Sequence, residues 1–216
     1  MIKDAACELI TGRRGSGKTT QVQQRLRGRR RIVVFDPVDE YGRDHRFGRA
    51  DTLRGVLKRL KAGWSRGFKI AYVPRGDPVK ALHGLSMVIW QAQQPYADGR
   101  DRRKITLVAE ELNLGFPATQ LPKDLGGFRL LTLQGRHRGV EIVGVTQRPA
   151  EISATFRGQV SDTWVFPLGE EIDIQRVLKQ IGRKHETVLR HLRDHHFIKY
   201  SGGQVTFGKN PRRRKY

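Results

Sequence analysis

The sequence has one cysteine, Cys7, and nowhere a run of 18 apolar residues. A lone cysteine excludes an internal disulfide and agrees with a reducing compartment; inside the first apolar run it reads as a small core residue. Without a long apolar run, no segment is expected to span a bilayer. The opening MIKDAACELI has neither the apolar core nor the small-residue cleavage site of a secretory signal, so the expected location is the cytoplasm. Acidic residues are also scarce: 21 Asp and Glu stand against 42 Lys and Arg, a formal charge of +21. That excess points to a polyanionic partner, with nucleic acid first and ribosomal-type binding or an anionic membrane surface behind it. Internal repeats and long low-complexity linkers are missing too.

What is present is a folding composition. Hydrophobic residues make up 37% of 216, with three Trp and nine Phe, which excludes a disordered chain and suits one α/β domain with a small appendage. Short apolar runs alternate with helical patterns. Strands are expected at 6–11, 31–36, 68–73, 104–110, 140–146 and 162–167, most apolar throughout, as strands covered on both faces must be. Helices are expected near 17–28, 50–62, 78–94, 122–136, 149–158 and 170–181. HFIKY and QVTFG flank SGG and read as a hairpin. The expected division is a main domain over 1–195 and a hairpin with a disordered basic tail, KNPRRRKY, over 196–216.

The sharpest signal is GRRGSGKT, which matches G-x-x-x-x-G-K-[ST] between the first strand and the first helix. Its glycines let the backbone wrap a β-phosphate with N–H groups pointing inward, at the positive end of the following helix. The cradle is read as Gly12, Arg13, Arg14, Gly15, Ser16, Gly17, Lys18, Thr19 and Thr20. Lys18 would bridge the β- and γ-phosphates of ATP, and Thr19 would ligate Mg²⁺. Arg13 and Arg14 lie over the nucleotide, face a neighbouring subunit or are solvated.

In KITLVAEE an apolar strand ends in Glu110 and Glu111, where a P-loop enzyme places its Walker B carboxylates. Glu110 is assigned to the Mg²⁺ shell and Glu111 to orienting and polarising the attacking water. The usual residue at the first position is Asp, and Glu110 reaches one methylene further. The plainer alternative makes both helix-start acids stabilised by the dipole. The next strand, VEIVGVT, ends in TQRP, which puts the Gln147 amide at a strand tip, where it can sense a γ-phosphate and hold water. Pro149 is expected to start a helix, and TQRP then also reads simply as a strand-to-helix turn.

Three segments together, GRRGSGKT, VVFDPVDEYG and GRHRGVEIVGVTQRP, resemble the FtsK–HerA superfamily of P-loop ATPases. In its HerA-like members the second strand ends in a D-P-x-x-E-Y pattern, here Asp36, Pro37, Glu40 and Tyr41, and the fifth in a T-Q-R-P-like sensor. Within it, the chain is most similar to the small genome-packaging ATPases of internal-membrane icosahedral viruses, over residues from about 6 to 167. The resemblance implies a RecA-like fold, a mostly parallel central sheet flanked by helices, and a homo-oligomeric ring, hexameric in expectation, with nucleotide between subunits and double-stranded DNA in the channel. It implies packaging of viral DNA into a preformed capsid in the host cytoplasm, with capsid-vertex or inner-membrane proteins as further partners. The alternatives are a cellular or mobile-element DNA pump and a Zot-like phage assembly ATPase. A ring of this kind needs an arginine finger. Arg136 and Arg138 are the candidates, with Arg148 behind them; binding DNA or solvent is the competing role.

Two basic features fall outside these motifs. RLRGRRR, Arg25–Arg31, closes the first helix, and its charge suits a solvated or a DNA-facing surface. His191 and His195 have i, i+4 spacing, but with no nearby Cys they read as part of a polar helix face and not as a zinc pair.

Overall fold

The strands form because their apolar runs can be covered on both faces. In β1 (Cys7–Thr11), β2 (Arg31–Phe35) and β5 (Ile105–Ala109) nearly every residue is buried, and alternate side chains serve opposite cores. Val33, Phe35, Leu107 and Ala109 join one core, and Ile32, Val34 and Val108 join the other. The computed structural model describes residues 6–211, so Arg212–Tyr216, most of the expected basic tail, lie outside the described residues.

In chain order the elements after β1 are α1 (Lys18–Arg25), β2, β3 (Gly48–Ala50), α2 (Leu53–Gly63), β4 (Phe68–Tyr72), α3 (Pro78–Ala92), α4 (Gln94–Ala97), β5, α5 (Leu112–Gly115), α6 (Gly127–Gln134), β6 (Val140–Thr146), α7 (Ala154–Gln159), β7 (Asp162–Val165), α8 (Glu171–Ile181), α9 (Glu186–Arg190), β8 (His196–Ser201) and β9 (Gln204–Lys209). They build one sheet in the order β3-β4-β2-β5-β6-β1-β7-β8-β9. β1 to β7 pair in parallel. The expected C-terminal hairpin is present, and β8 runs antiparallel to β7, so the hairpin extends the main sheet.

Helix starts follow local chemistry. Thr52 accepts from the Gly55 amide to cap α2, and Asp77 accepts from Val79 and Lys80 ahead of Pro78 to cap α3. One face of the sheet packs against α2, α3, α6 and α7 through Val56, Leu82, Phe128 and Phe156; the other packs against Val22 of α1 and Leu26 just after it. A third core joins Val165 and Ile198 to Val177, Leu178 and Ile181 of α8.

Some boundaries differ from the expectation. The helix expected over 149–158 begins only at Ala154, capped by Ser153; Pro149 instead sits in a turn whose Ala150 amide donates to the buried Asp173 carboxylate. The helix expected over 122–136 is a short 3-10 turn and then α6, broken at Gly126. The polar helix face expected to carry His191 and His195 does not form, because α9 ends at Arg190 and His195 has φ 67°.

Candidate functional site: three adjacent strand ends

β6 lies between β1 and β5, and all three run parallel, so their carboxyl ends meet on one edge. β1 delivers the glycine-rich loop, β5 the two glutamates and β6 the glutamine. In an open parallel sheet this edge is where ligands bind.

The loop from Gly12 to Thr19 owes its path to backbone that only glycine adopts freely. Gly12 has φ 154° and Gly17 φ 113°, and a Cβ at Gly12 would stand 2.6 Å from the Phe166 Cβ. Lys18 Nζ donates to the carbonyls of Gly12 at 2.7 Å and Arg13 at 3.1 Å. Burial lowers the pKa of this ammonium, opposed by Glu111, Glu110 and Glu40. Ser16 is fully buried, Thr20 is half-buried in α1, and Arg14 and Gly15 are exposed. Arg13 turns away from the loop to pair with Asp194 at 2.8 Å.

The second-strand motif acts through one carboxylate. Asp36, fully buried at the end of β2, accepts from the amides of Glu40 (2.9 Å), Tyr41 (2.8 Å) and Gly42 (2.8 Å). Those three bonds fold the chain back, with Asp39 at φ 58°, and carry Glu40 to the phosphate loop. There the Thr19 hydroxyl donates to Glu40 Oε1 at 3.1 Å. Burial raises the Asp36 pKa, and the three amides oppose the rise.

Glu110 is buried beneath this cluster. Burial first, then the charges of Glu40 and Glu111, push its carboxyl up to about 8. The Tyr41 hydroxyl is also buried, facing Glu110, and its pKa is raised by burial and by the charges of Glu110 and Glu40. Glu111 adopts φ 43°, uncommon for a residue with a side chain, at the head of α5. Its Oε1 accepts from Gln147 Nε2 at 2.6 Å. The residue before Gln147 is anchored as well: the Thr146 hydroxyl donates to Asn113 and accepts from the Arg148 amide.

The structure therefore brings Gly12–Thr20, Glu110, Glu111 and Gln147 together. It does not bring Arg136 and Arg138 to them. Both precede Val140, at the amino end of β6, about 20 Å along the strand from Gln147. Arg138 is engaged there: its guanidinium lies 3.7 Å over the Trp90 ring and donates to Gln94 Oε1 at 2.7 Å. Arg136 is exposed, and its guanidinium donates to His137. Arg148 is tied to the buried Asp173 at 2.9 Å. Of the Arg25–Arg31 run, Arg25 pairs with Glu8, Arg29 with Glu141, and Arg31 donates to the Trp64 and Ser65 carbonyls, while Arg27 and Arg30 are exposed.

Sequence reasoning named Glu40 as part of a motif but gave it no place in the site; the D-P-x-x-E spacing after an apolar strand was the available signal. For Asn113 there was none, since its role depends on its position beside Thr146. Among the described residues no three metal-binding side chains cluster tightly enough to cage an ion by themselves.

No protein-family model and no curated protein matches the chain. Solved structures do. The genome packaging NTPase B204 from Sulfolobus turreted icosahedral virus 2, in complex with AMPPCP, superposes with a TM-score of 0.71 at 17% identity, over 96% of this chain and 98% of that one. B204, the DNA-packaging ATPase from Sulfolobus Turreted Icosahedral Virus, gives 0.69 at 14%, over 97% and 100%. VirB4 of Thermoanaerobacter pseudethanolicus gives 0.61 at 11%, over 94% and 89%. Together with the strand order and the loop, the likeness establishes that this chain has the RecA-like P-loop NTPase fold.

Proposed function

We propose that this protein is an ATPase whose copies form a ring around double-stranded DNA and translocate it, and that its DNA is a viral genome being pumped into a preformed capsid. The observation that supports hydrolysis most directly is the 2.6 Å bond between Gln147 and Glu111, beside Lys18 on the same sheet edge. The charge of +21 supports the polyanionic partner. The viral B204 structures, one of them solved with AMPPCP, support packaging as the use of such a motor.

Lys18 turns from the Gly12 and Arg13 carbonyls to the β- and γ-phosphates. Glu111, oriented by Gln147, accepts the proton of a water whose oxygen attacks the γ-phosphorus as the bond to the ADP oxygen breaks. The Gln147 amide, bonded to that carboxylate, is assigned to sensing the γ-phosphate.

The donor set fits Mg²⁺, because a hydroxyl and carboxylate oxygens suit a hard cation that keeps waters and substrate phosphates in its shell. Thr19 and Glu110 would hold it, with Glu40 beside them, and it would neutralise phosphate charge. Because Arg136 stands at the far edge of the sheet, its role as a finger is assigned to a neighbour's site, where its guanidinium would stabilise the transferring phosphoryl group. Partners at a capsid vertex or inner membrane belong to the same reading; no helix among the described residues is long and apolar enough to cross a membrane.

The test is displacement of a third strand from a DNA triplex. ATP-dependent displacement by the wild type, lost in Lys18→Ala, supports a translocase. Hydrolysis without any displacement on duplexes of every length would reject translocation.

A further inference from the structure

The C-terminal hairpin carries no motif of the site, yet its base closes over the outside of the phosphate loop. The His195 amide donates to the Ser16 carbonyl at 2.7 Å. Asn210, just past β9, donates through Nδ2 to the Gly17 carbonyl at 3.4 Å and accepts from Gln24 Nε2 of α1 at 3.2 Å. Its own amide donates to the His195 carbonyl at 2.7 Å, which joins the two contacts into one unit. Asp194 holds Arg13 from the same turn. Asn210 is only 1% exposed.

The geometry of a peptide unit gives these contacts a consequence. In a trans peptide the C=O and the following N–H point in opposite directions. A donor that fixes the Ser16 carbonyl on one side therefore fixes the Gly17 N–H on the other, and Asn210, with the Gln21 amide that donates to the same Gly17 carbonyl at 3.2 Å, does so for the Lys18 N–H. Those are N–H groups that a phosphate-binding loop presents to its ligand. Two local features are fitted to the contact. His195 takes φ 67°, a region where His is enriched among residues with side chains. Gly17 leaves room for it, since a Cβ there would stand 3.1 Å from His195 Nδ1 and 3.2 Å from its Cα.

We propose that Asn210 and the Asp194–His195 turn are positioning residues for nucleotide binding, a clamp that pre-sets the Gly17 and Lys18 amides toward the β-phosphate. The proposal rests on the reading of Gly12–Thr19 as a phosphate cradle. It makes the hairpin part of the nucleotide site, so a movement of β8 and β9 would be transmitted to the loop.

The experiment is calorimetric binding of ADP and ATP to the full chain, with melting temperatures measured alongside. Asn210→Leu keeps the volume and removes both side-chain hydrogen bonds; it should weaken ADP and ATP by the same factor, about tenfold. Val205→Ala, which trims the third core in β9 away from the loop, should lower the melting temperature and leave both affinities unchanged. His195→Val, whose branched side chain resists the positive φ, should bind like Asn210→Leu.

Wild-type affinity in Asn210→Leu, or an equal loss in Val205→Ala, would overturn the clamp while leaving the cradle in place. A wild-type chain that binds neither nucleotide would remove the cradle, and the clamp with it.

Discussion

Gln147 Nε2 lies 2.6 Å from Glu111 Oε1, so the amide that ends β6 and the carboxylate that follows β5 form one hydrogen-bonded pair. Two residues that act as a pair should not contribute independently. Glu111→Gln should lower the rate of ATP hydrolysis by about 10² to 10⁴, and Gln147→Ala by about 10 to 10². The double variant should be little worse than Glu111→Gln alone. Nucleotide affinity should stay within about threefold of wild type in all three, because neither side chain wraps the β-phosphate. Single-turnover kinetics with a binding titration separates the two effects, and additive losses would mean that the pair does not act as a unit.

Asp36 gives a stability prediction that also reaches the site. Its carboxylate accepts three backbone amides in a buried turn, and Asp36→Asn puts donors where only acceptors fit. The expected loss is about 1–3 kcal/mol in urea unfolding. Because that turn carries Glu40 to Thr19, the variant should also need more Mg²⁺ for half-maximal hydrolysis. Pro37→Ala, next to the same turn but keeping its three acceptor bonds, is the control.

Glu110 gives a pH dependence with a definite sign. Its carboxyl is raised from an ordinary 4.5 to about 8, first by burial and then by Glu40 and Glu111. The folded chain therefore binds this proton more tightly than the unfolded chain, so stability is fullest below about pH 4.5 and declines as pH rises toward 8. Melting without nucleotide should fall on the order of 5 °C between pH 5 and pH 8 through this group. Glu110→Gln should flatten that slope and melt higher at pH 8. An unchanged slope would mean that Glu110 is ionised throughout.

Arg136 and Arg138 should behave differently. Arg138 stacks on Trp90 and bonds Gln94, so Arg138→Ala should chiefly lower stability, by about 1 kcal/mol. Arg136 has no such anchor. If it serves a neighbour's site, Arg136→Ala should lose hydrolysis as a pure protein yet regain part of it when mixed with Glu111→Gln, since some interfaces then combine an intact site with an intact arginine. Mixtures that never exceed the sum of the two components would remove Arg136 as a finger.

Much of this was legible in the sequence because it is local. The runs that became β1, β2, β5 and β6 had to be buried strands, and Gly12–Thr19 identified its own strand–loop–helix setting. Glu111 and Gln147 could be placed at strand ends, but their direct bond could not, since it depends on β5 and β6 being neighbours. β3 has three residues and no periodicity to detect. The expected helix start at Pro149 lost to a tertiary contact, the buried Asp173 accepting the Ala150 amide and holding Arg148. The contacts of His195 and Asn210 with the loop were beyond local reading altogether: Asp194 meets Arg13 across 181 residues, and only the folded sheet shows that they touch.

The most direct test of a DNA-driven ATPase is the rate of ATP hydrolysis by the purified chain with and without double-stranded DNA, alongside Lys18→Ala and Glu111→Gln. The expected result is hydrolysis that rises several-fold with DNA of any sequence, loses that stimulation steeply as salt increases, and disappears in both variants. Hydrolysis indifferent to DNA at every salt concentration, or stimulation that survives in Lys18→Ala, would contradict it.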